Sequence, residues 1–532
     1  MKKYSLTLLF LFSCLLLFSQ GNVQIDKKHL FENKNNRSIA KKNFNKAEEY
    51  FNKAKYLYAL NSYLKVYRYN SSSPGLNFKI GVCYLYTSDK NTSLKYFTES
   101  SSDVSKSYNL FLGRAYQYNN KFEKAKSLYE EYYNSLTKHK QKKNRQFIEQ
   151  LEKDCDTGSL LLKDSVPVSI INLGPTVNSM YDDYNGIISN DNLTLFFTSR
   201  RPAGTQQMNK PRKKLKERIY QADNNATDYP AGYIKSVKGL NGNPNTSLAG
   251  FNKDNFIIYY YKGRGKNGRL FAATIDTAWH KKQLKGINHI AFQETSITFD
   301  KNGNAYFVTN RYGGYGGKDI WTARLRRDMS FHRPVNMGSI INTPEDEEGV
   351  YITPDGKTLY FSSKGHQGMG GFDVFKTVKS EDGTWSKPVN MGYPINSPAD
   401  ELFYHPTKDS CVTLYTTIRP GGYGGYDIYK ILIGNAVSFI LSGKIYDTAT
   451  SAPVPAKINI YEAKSYKLIK SLQNDPNTGN YILKIETDGD YLISIESKGY
   501  TSITKAFKCK RGEDKTDIAN FPLTKQVIEG LH

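Results

Sequence analysis

The chain has 532 residues, enough for about three or four domains of ordinary size, with 74 Lys and Arg against 50 Asp and Glu and a formal net charge of +24. A hydrophobic content of 39% with 41 Tyr fits soluble β-rich modules. The basic balance reads either as a solvated, basic surface or as attraction to an acidic partner such as an anionic envelope polymer, lipid headgroups or an acidic protein face, and five Cys without a C-x-x-C pair argue against a metal site.

The N-terminus reads MKKYSLTLLFLFSCLLLFSQ, with Lys2 and Lys3 ahead of an apolar run from Leu6 to Phe18. Residues 1–20 are therefore expected to be a secretory signal peptide, too short and wrongly flanked for a stable span. Cys14 sits inside the apolar run and is followed by Leu15, Leu16 and Leu17, which speaks against a lipid anchor there. No later stretch reaches transmembrane length. An exported chain is not expected to meet nucleic acid. Cys83 and Cys411 read as core residues, and a Cys155–Cys509 bridge stays open.

Over residues 37–162 the hydrophobic period becomes helical. Gly113, Tyr116, Ala125 and Tyr129 follow the spacing of a tetratricopeptide helix pair, in which small residues let two helices approach. Gly81, Tyr84, Ser93 and Phe97 repeat it 32 residues earlier, and Ala47, Tyr50, Ala59 and Tyr63 form a weaker first copy. About three repeats are expected, the minimum for a stacked array, closed by a basic helix that starts at Lys138.

Residues 166–434 repeat at a longer interval. GGYGGKDIW, GMGGFDVFK and GGYGGYDIYK place Asp319, Asp373 and Asp427 at steps of 54 residues. Short alternating strands recurring at this period predict a β-propeller of about six blades, five of them recognisable. Pro354-Asp355-Gly356-Lys357 and Lys301-Asn302-Gly303-Asn304 read as hairpin turns with glycine at positive φ, and Asn190-Asp191-Asn192 as a third. Trp279, Phe331 and Trp385 read as packing between blades. An acidic residue recurs near the start of each inner strand, as Asp183, Glu294, Glu347 and Glu401, with Ser247 standing in for it in the second blade. These carboxylates either ring the central channel, where they could hold a basic segment of a partner, or tie down backbone N–H groups of the neighbouring blade. Tyr312, Tyr315 and Tyr423 lie in the Gly-rich loops at corresponding corners and are candidates for one repeated contact surface. No strand-to-helix context follows these loops, so they are not phosphate cradles.

Residues 438–526 hold several short alternating strands separated by NDPNTGN, TDGD and SKGY, the pattern of a small β-sandwich. Thr478-Gly479-Asn480-Tyr481, Gly489-Asp490-Tyr491 and Gly499-Tyr500 resemble carboxypeptidase regulatory-like domains, which implies a prealbumin-like sandwich without peptidase activity.

Taken together, the order of modules resembles the PorE-like envelope proteins of the Bacteroidota, built from tetratricopeptide repeats, a TolB-type propeller, a carboxypeptidase regulatory-like domain and an OmpA-type peptidoglycan-binding domain. The resemblance implies a non-catalytic scaffold or adaptor in the periplasm, peripheral to the outer membrane. It implies association with type IX secretion or gliding machinery, and an outer-membrane β-barrel or another envelope component as partner. The sequence given stops after the sandwich, so the peptidoglycan anchoring of that family is not carried over. A glycan-binding or surface-recognition role for the propeller loops is the alternative. No catalytic constellation is expected, and no metal or cofactor. There is no G-x-S-x-G or H-E-x-x-H, and the eight His are scattered.

Overall fold

The computed structural model describes residues 37–526 except 190–193, 203–214, 224–233, 253–256, 264–267, 275–280, 329, 409–410, 434–438, 486–488 and 510–515. The expected signal peptide, Cys14, Trp279 and the turn at Asn190 to Asn192 lie outside the described residues.

The N-terminal part is helical: α1 (Arg37–Asn52), α2 (Tyr56–Tyr67), α3 (Pro74–Leu85), α4 (Ser93–Thr98), α5 (Tyr108–Tyr118), α6 (Phe122–Ser135) and α7 (Lys138–Lys163). Consecutive helices pack as pairs, α1 on α2, α3 on α4 and α5 on α6, with α7 against α6. The positions singled out by spacing are the contact points. Ala59, Ser93 and Ala125 are fully buried. A Cβ on Gly81 would lie 3.0 Å from the Phe97 ring, and one on Gly113 would lie 2.6 Å from the Tyr129 ring. Absence of a side chain at these two glycines is what lets each pair close around its aromatic residue.

A short strand β1 (Val168–Asn172) and a helical turn α8 (Gly174–Val177) follow, and then five antiparallel four-stranded sheets. Blade 1 is β2 (Asp183–Ile188), β3 (Thr194–Ser199), β4 (Arg218–Asp223) and β5 (Lys235–Ser236). Blade 2 is β6 (Asn245–Asn252), β7 (Ile257–Gly263), β8 (Arg269–Thr274) and β9 (Lys281–Gln283). Blade 3 is β10 (Glu294–Phe299), β11 (Asn304–Thr309), β12 (Asp319–Arg324) and β13 (Val335–Asn336). Blade 4 is β14 (Glu347–Ile352), β15 (Thr358–Ser363), β16 (Asp373–Val378) and β17 (Val389–Asn390). Blade 5 takes β18 (Glu401–Pro406), β19 (Val412–Thr417) and β20 (Asp427–Ile433) from the end of the region and its outer strand β1 from the beginning.

Inner strands β2, β6, β10, β14 and β18 neighbour one another in that order, and β18 returns to β2, so the five sheets form a closed propeller-like ring. The expectation of about six blades is thereby corrected to five. The strand β1, from the start of the repeat region, completes the last blade. Val168 pairs with Ile433 and Asn172 with Tyr429, a closure that satisfies the edge of β20. Gly303 and Gly356 turn their hairpins at φ 78° and 73°. Phe331 is buried, and Trp385 of blade 4 meets Tyr306 of blade 3 edge-on at 6.3 Å.

The C-terminal strands are β21 (Phe439–Asp447), β22 (Lys457–Glu462), β23 (Leu468–Gln473), β24 (Asn480–Ile485), β25 (Gly489–Glu496), β26 (Ile503–Cys509), β27 (Thr516–Ile518) and β28 (Phe521–Leu523). They make two four-stranded sheets around one core that includes Ile445, Ile458, Leu483, Ile493 and Leu523. Cys155 in α7 and Cys509 in β26 are buried and in no disulfide, so the bridge left open by the sequence is not formed.

Replacing Gly113 by Ala tests the helix contact. Alanine favours the helix by about 1 kcal/mol, but its methyl would press on a fully buried ring, which costs about 1–3 kcal/mol. Denaturant unfolding should show G113A less stable than the parent and less stable than G81A. An unchanged or raised midpoint for G113A would contradict the packing.

Candidate functional site

One rim of the ring carries the Gly-rich loops and the starts of the inner strands. Each Gly-rich loop, between the second and third strands of a blade, lies on the connector entering the next blade. A Cβ at Gly316 would come within 2.1 Å of the Glu345 carbonyl, one at Gly370 within 2.5 Å of the Pro398 carbonyl, and one at Gly424 within 2.0 Å of the Tyr181 carbonyl. Only glycine fits there. The repeated aspartates cap these loops. Asp319 accepts from the Tyr315 and Gly316 amides at 2.6 and 3.1 Å, Asp373 from those of Met369 and Gly370 at 3.0 and 3.4 Å, and Asp427 from those of Tyr423 and Gly424 at 2.6 and 3.2 Å.

A second set of residues, not singled out from sequence, organises the connectors. Asn178, Asn241, Asn288, Asn342 and Asn396 each pair with both backbone groups of one residue in the third strand of the blade just completed. Their partners are Ile428, Ile219, Leu270, Ile320 and Val374, at 2.6–2.9 Å. The residue before each asparagine is buried and aliphatic: Val177, Leu240, Ile287, Ile341 and Ile395. This aliphatic–Asn pair occurs once per blade and is the signal that could have revealed them.

The four recurring carboxylates are buried with no side-chain exposure and do not open into the channel. Asp183 accepts from Ser179 N and Oγ, both at 2.6 Å; Glu347 from Thr343 N at 3.1 Å and Oγ1 at 2.7 Å; Glu401 from Ser397 N at 2.9 Å and Oγ at 2.6 Å. Of the two roles read from the sequence, these atoms perform the second, tying down connector amides. In blade 2 the matching position is Thr246, whose amide donates to the Glu217 carbonyl as the others donate to Tyr426, Lys318 and Phe372. Ser247, assigned there from sequence, is one residue out of register.

Three carboxylates have an arginine beside them. Arg201 reaches Asp183 at 2.7 Å, Arg311 reaches Glu294 at 3.3 Å and Arg419 approaches Glu401 at 3.8 Å. Each also donates to a connector carbonyl: Val177, Ile287 and Ile395 respectively. Blade 4 departs from this rule. The residue in the arginine's place is Gly365, and His366 Nε2 donates instead to the matching carbonyl, Ile341, at 2.8 Å. Burial pushes the Glu347 carboxyl up to about 8, with the Thr343 and Ser363 bonds opposing it only in part. Burial also pushes Glu401 up to about 7 against the opposing pull of Arg419.

At the other end of the inner strands the channel is filled. Ile187, Phe251, Ile297, Tyr351 and His405 converge there and leave a void of about 20 Å³, room for about one water. Among the described residues no carboxylate lines it, and His405 is bonded to Asn185 at 2.8 Å. Among the described residues no group of three His, Cys, Asp or Glu side chains is gathered as a metal site requires. No described helix is long and apolar enough to cross a membrane.

The rim is exposed at its tyrosines. Tyr312 is 82% exposed, Tyr315 52% and Tyr423 46%. Tyr315 and Tyr423 occupy the same loop position, four residues before the capping aspartate. The blade 4 residue at that position is Met369, which is buried among α5, α6 and α7 with Tyr129, Ile148 and Leu151. Its carbonyl accepts from Gln117 Nε2 at 3.0 Å, and Tyr129 OH holds Gln117 Oε1 at 2.7 Å. Tyr393 of the next connector packs on the same helical core, and the Val166 amide donates to its carbonyl at 2.7 Å. The helices thus sit on the blade between the two exposed tyrosine loops. Tyr315 and Tyr423 are separated by covered surface instead of forming one continuous face.

No protein-family model and no curated protein matches the sequence. Among solved structures the chain is similar to a TolB of Agrobacterium tumefaciens, with 16% identity over 39% of this chain and 66% of that one, at a TM-score of 0.29. It is also similar to an α-L-arabinofuranosidase of Lactobacillus brevis, with 12% identity over 50% of this chain and 93% of that one, at a TM-score of 0.31. A 3-chlorocatechol 1,2-dioxygenase of Rhodococcus opacus matches 18% of this chain and 61% of its own, with 14% identity and a TM-score of 0.14.

Two measurements check the connector chemistry. Asn342→Ala would leave the buried amide of Ile320 without a partner, while its carbonyl keeps the Met337 amide at 3.2 Å, so a loss of about 1–3 kcal/mol is expected by denaturant unfolding; a loss below about 0.5 kcal/mol would show that the clamp is dispensable. Glu347 keeps its proton to about pH 8 in the fold, against an ordinary value of 4.5. Its stabilising balance is therefore complete below pH 4.5 and is lost as pH rises through 8. Glu347→Gln should gain stability relative to the parent across that window. A difference that does not change with pH would refute the assignment.

Proposed function

We propose that the chain is a non-catalytic scaffold that holds protein partners of a bacterial envelope complex. In this reading the helices are tetratricopeptide-like repeats, the ring is a TolB-type propeller, and the two C-terminal sheets are a carboxypeptidase regulatory-like sandwich. The protein is exported to the periplasm and lies against the outer membrane, within type IX secretion or gliding machinery of the PorE-like kind. The observation that carries the reading is the division of labour on the rim. The acidic side chains that chemistry would use are buried and committed to backbone amides, while the exposed side chains are aromatic, the type that anchors protein contacts. The basic start of α7, where Lys138, Lys140, Lys142, Lys143 and Arg145 are exposed, supports attraction to an acidic partner or an anionic envelope polymer.

Affinity capture of the full chain from solubilised envelopes tests the reading. An outer-membrane β-barrel or another secretion or gliding component is the expected companion. Recovery of the protein alone from the soluble fraction would overturn it. A glycan-recognition role is the second reading, favoured by the exposure of Tyr312, Tyr315 and Tyr423.

A further inference from the structure

We propose that the blade 3 corner formed by Ile290, Phe292, Tyr312 and Tyr315 is a docking site for an α-helical segment of another protein. This inference rests on the scaffold reading and names the surface and the kind of partner.

The protein already shows what this loop position receives. Met369, the blade 4 copy of Tyr315 at 54 residues' distance, is fully covered by helices. The contact has two parts. The side chain enters between α5, α6 and α7, and the loop carbonyl accepts from the amide side chain of Gln117, which a tyrosine hydroxyl orients. On blade 3 the same loop has the same capped backbone, held by Asp319, and its corner stands open.

Blade 3 also differs from the other four in a way that builds apolar surface. Its connector runs six residues from Asn288 to Glu294, where Asn178 to Asp183, Asn241 to Thr246, Asn342 to Glu347 and Asn396 to Glu401 each run five. The longer connector exposes Ile290 to 81%. It also brings Phe292 against Tyr312, edge-on at 4.9 Å, with His289 stacked on Phe292 at 4.5 Å. The outcome is a pair of packed aromatic rings on a connector that also exposes Ile290, two residues before Phe292. Ile290 offers a sugar no hydrogen bond and stays wet unless an apolar group covers it. Helices meet such surfaces with side chains at three- and four-residue spacing. A second copy of this chain is the less suitable occupant, because the groove between its α5, α6 and α7 is filled by its own Met369.

The test uses the full chain in the cells that produce it. A photoreactive benzoylphenylalanine is placed in turn at positions 290, 312 and 315, with position 335, also exposed but on the outer strand, as background. Irradiation should join all three corner positions to one partner, at partner residues spaced three or four apart, and should leave position 335 unjoined. Once that partner is purified, Tyr312→Ala with Tyr315→Ala should weaken its binding at least about tenfold without moving the unfolding midpoint, since both side chains are exposed. Absence of adducts overturns the proposal, as do adducts with a glycan, with a second copy, or at the two-residue spacing of a strand. The same probe at Tyr69, on the surface beside α2, separates the two claims. Partners there with none at the corner would remove the docking site and leave the scaffold reading standing.

Discussion

On leaving the outer strand of a blade, the chain must cross to the centre of the ring without a ladder to satisfy its amides and carbonyls. An unpaired buried peptide group costs about 1–3 kcal/mol, so five crossings would undo much of what five sheets gain. Each crossing is held at its start by a side chain that imitates backbone, and four of the five are held in the same way at the end. An asparagine at the start pairs with the N–H and C=O of the third strand, and a carboxylate or threonine stands at the end, where the next inner strand begins. In blades 3, 4 and 5 the Gly-rich loop then lies on the crossing, close enough that one glycine of each loop, Gly316, Gly370 or Gly424, cannot carry a Cβ. Blade, connector and loop therefore form one bonded unit, and the ring repeats that unit.

The same arrangement explains why the conspicuous acids of this chain are not a reactive site. A carboxylate facing several N–H and O–H donors is well placed to order a turn and poorly placed to attack or protonate a substrate. Three of the acids have an arginine beside them that also bonds the connector. In blade 4 a histidine takes over the arginine's bond to the connector but not its charge, and Glu347 is left to retain a proton instead. Burial raises Glu401 and Glu294 as well, and the neighbouring arginines only moderate that effect.

Helices and ring are joined through a loop tip that belongs to the repeat. Met369 is at once a member of the Gly-rich loop and a core residue of the helical part, so packing of the two parts is continuous. The helical pairs close for the same reason as the loops: Gly81 and Gly113 are positions where a neighbour's ring occupies the volume of a side chain.

The 54-residue interval, the glycine and aspartate positions and the helical spacing of Gly81, Gly113 and Tyr129 were legible in the sequence, because each records local geometry repeated in register. So were the hairpin turns at Gly303 and Gly356 and the aromatic packing of Phe331 and Trp385. The asparagine clamps were present as a repeated aliphatic–Asn pair, but a single short polar residue carries too little pattern to stand out among turn residues. Only the tertiary structure decided that there are five blades, that β1 completes the last one, that the inner-strand acids are buried ties, and that Met369 is covered while Tyr315 is open. Those outcomes depend on which distant segments meet. Asn172 and Asp427 are 255 residues apart, yet 3.2 Å separates their side chains. Sequence periodicity fixes the geometry of each unit, but ring closure and covered corners arise from contacts between segments that share no pattern.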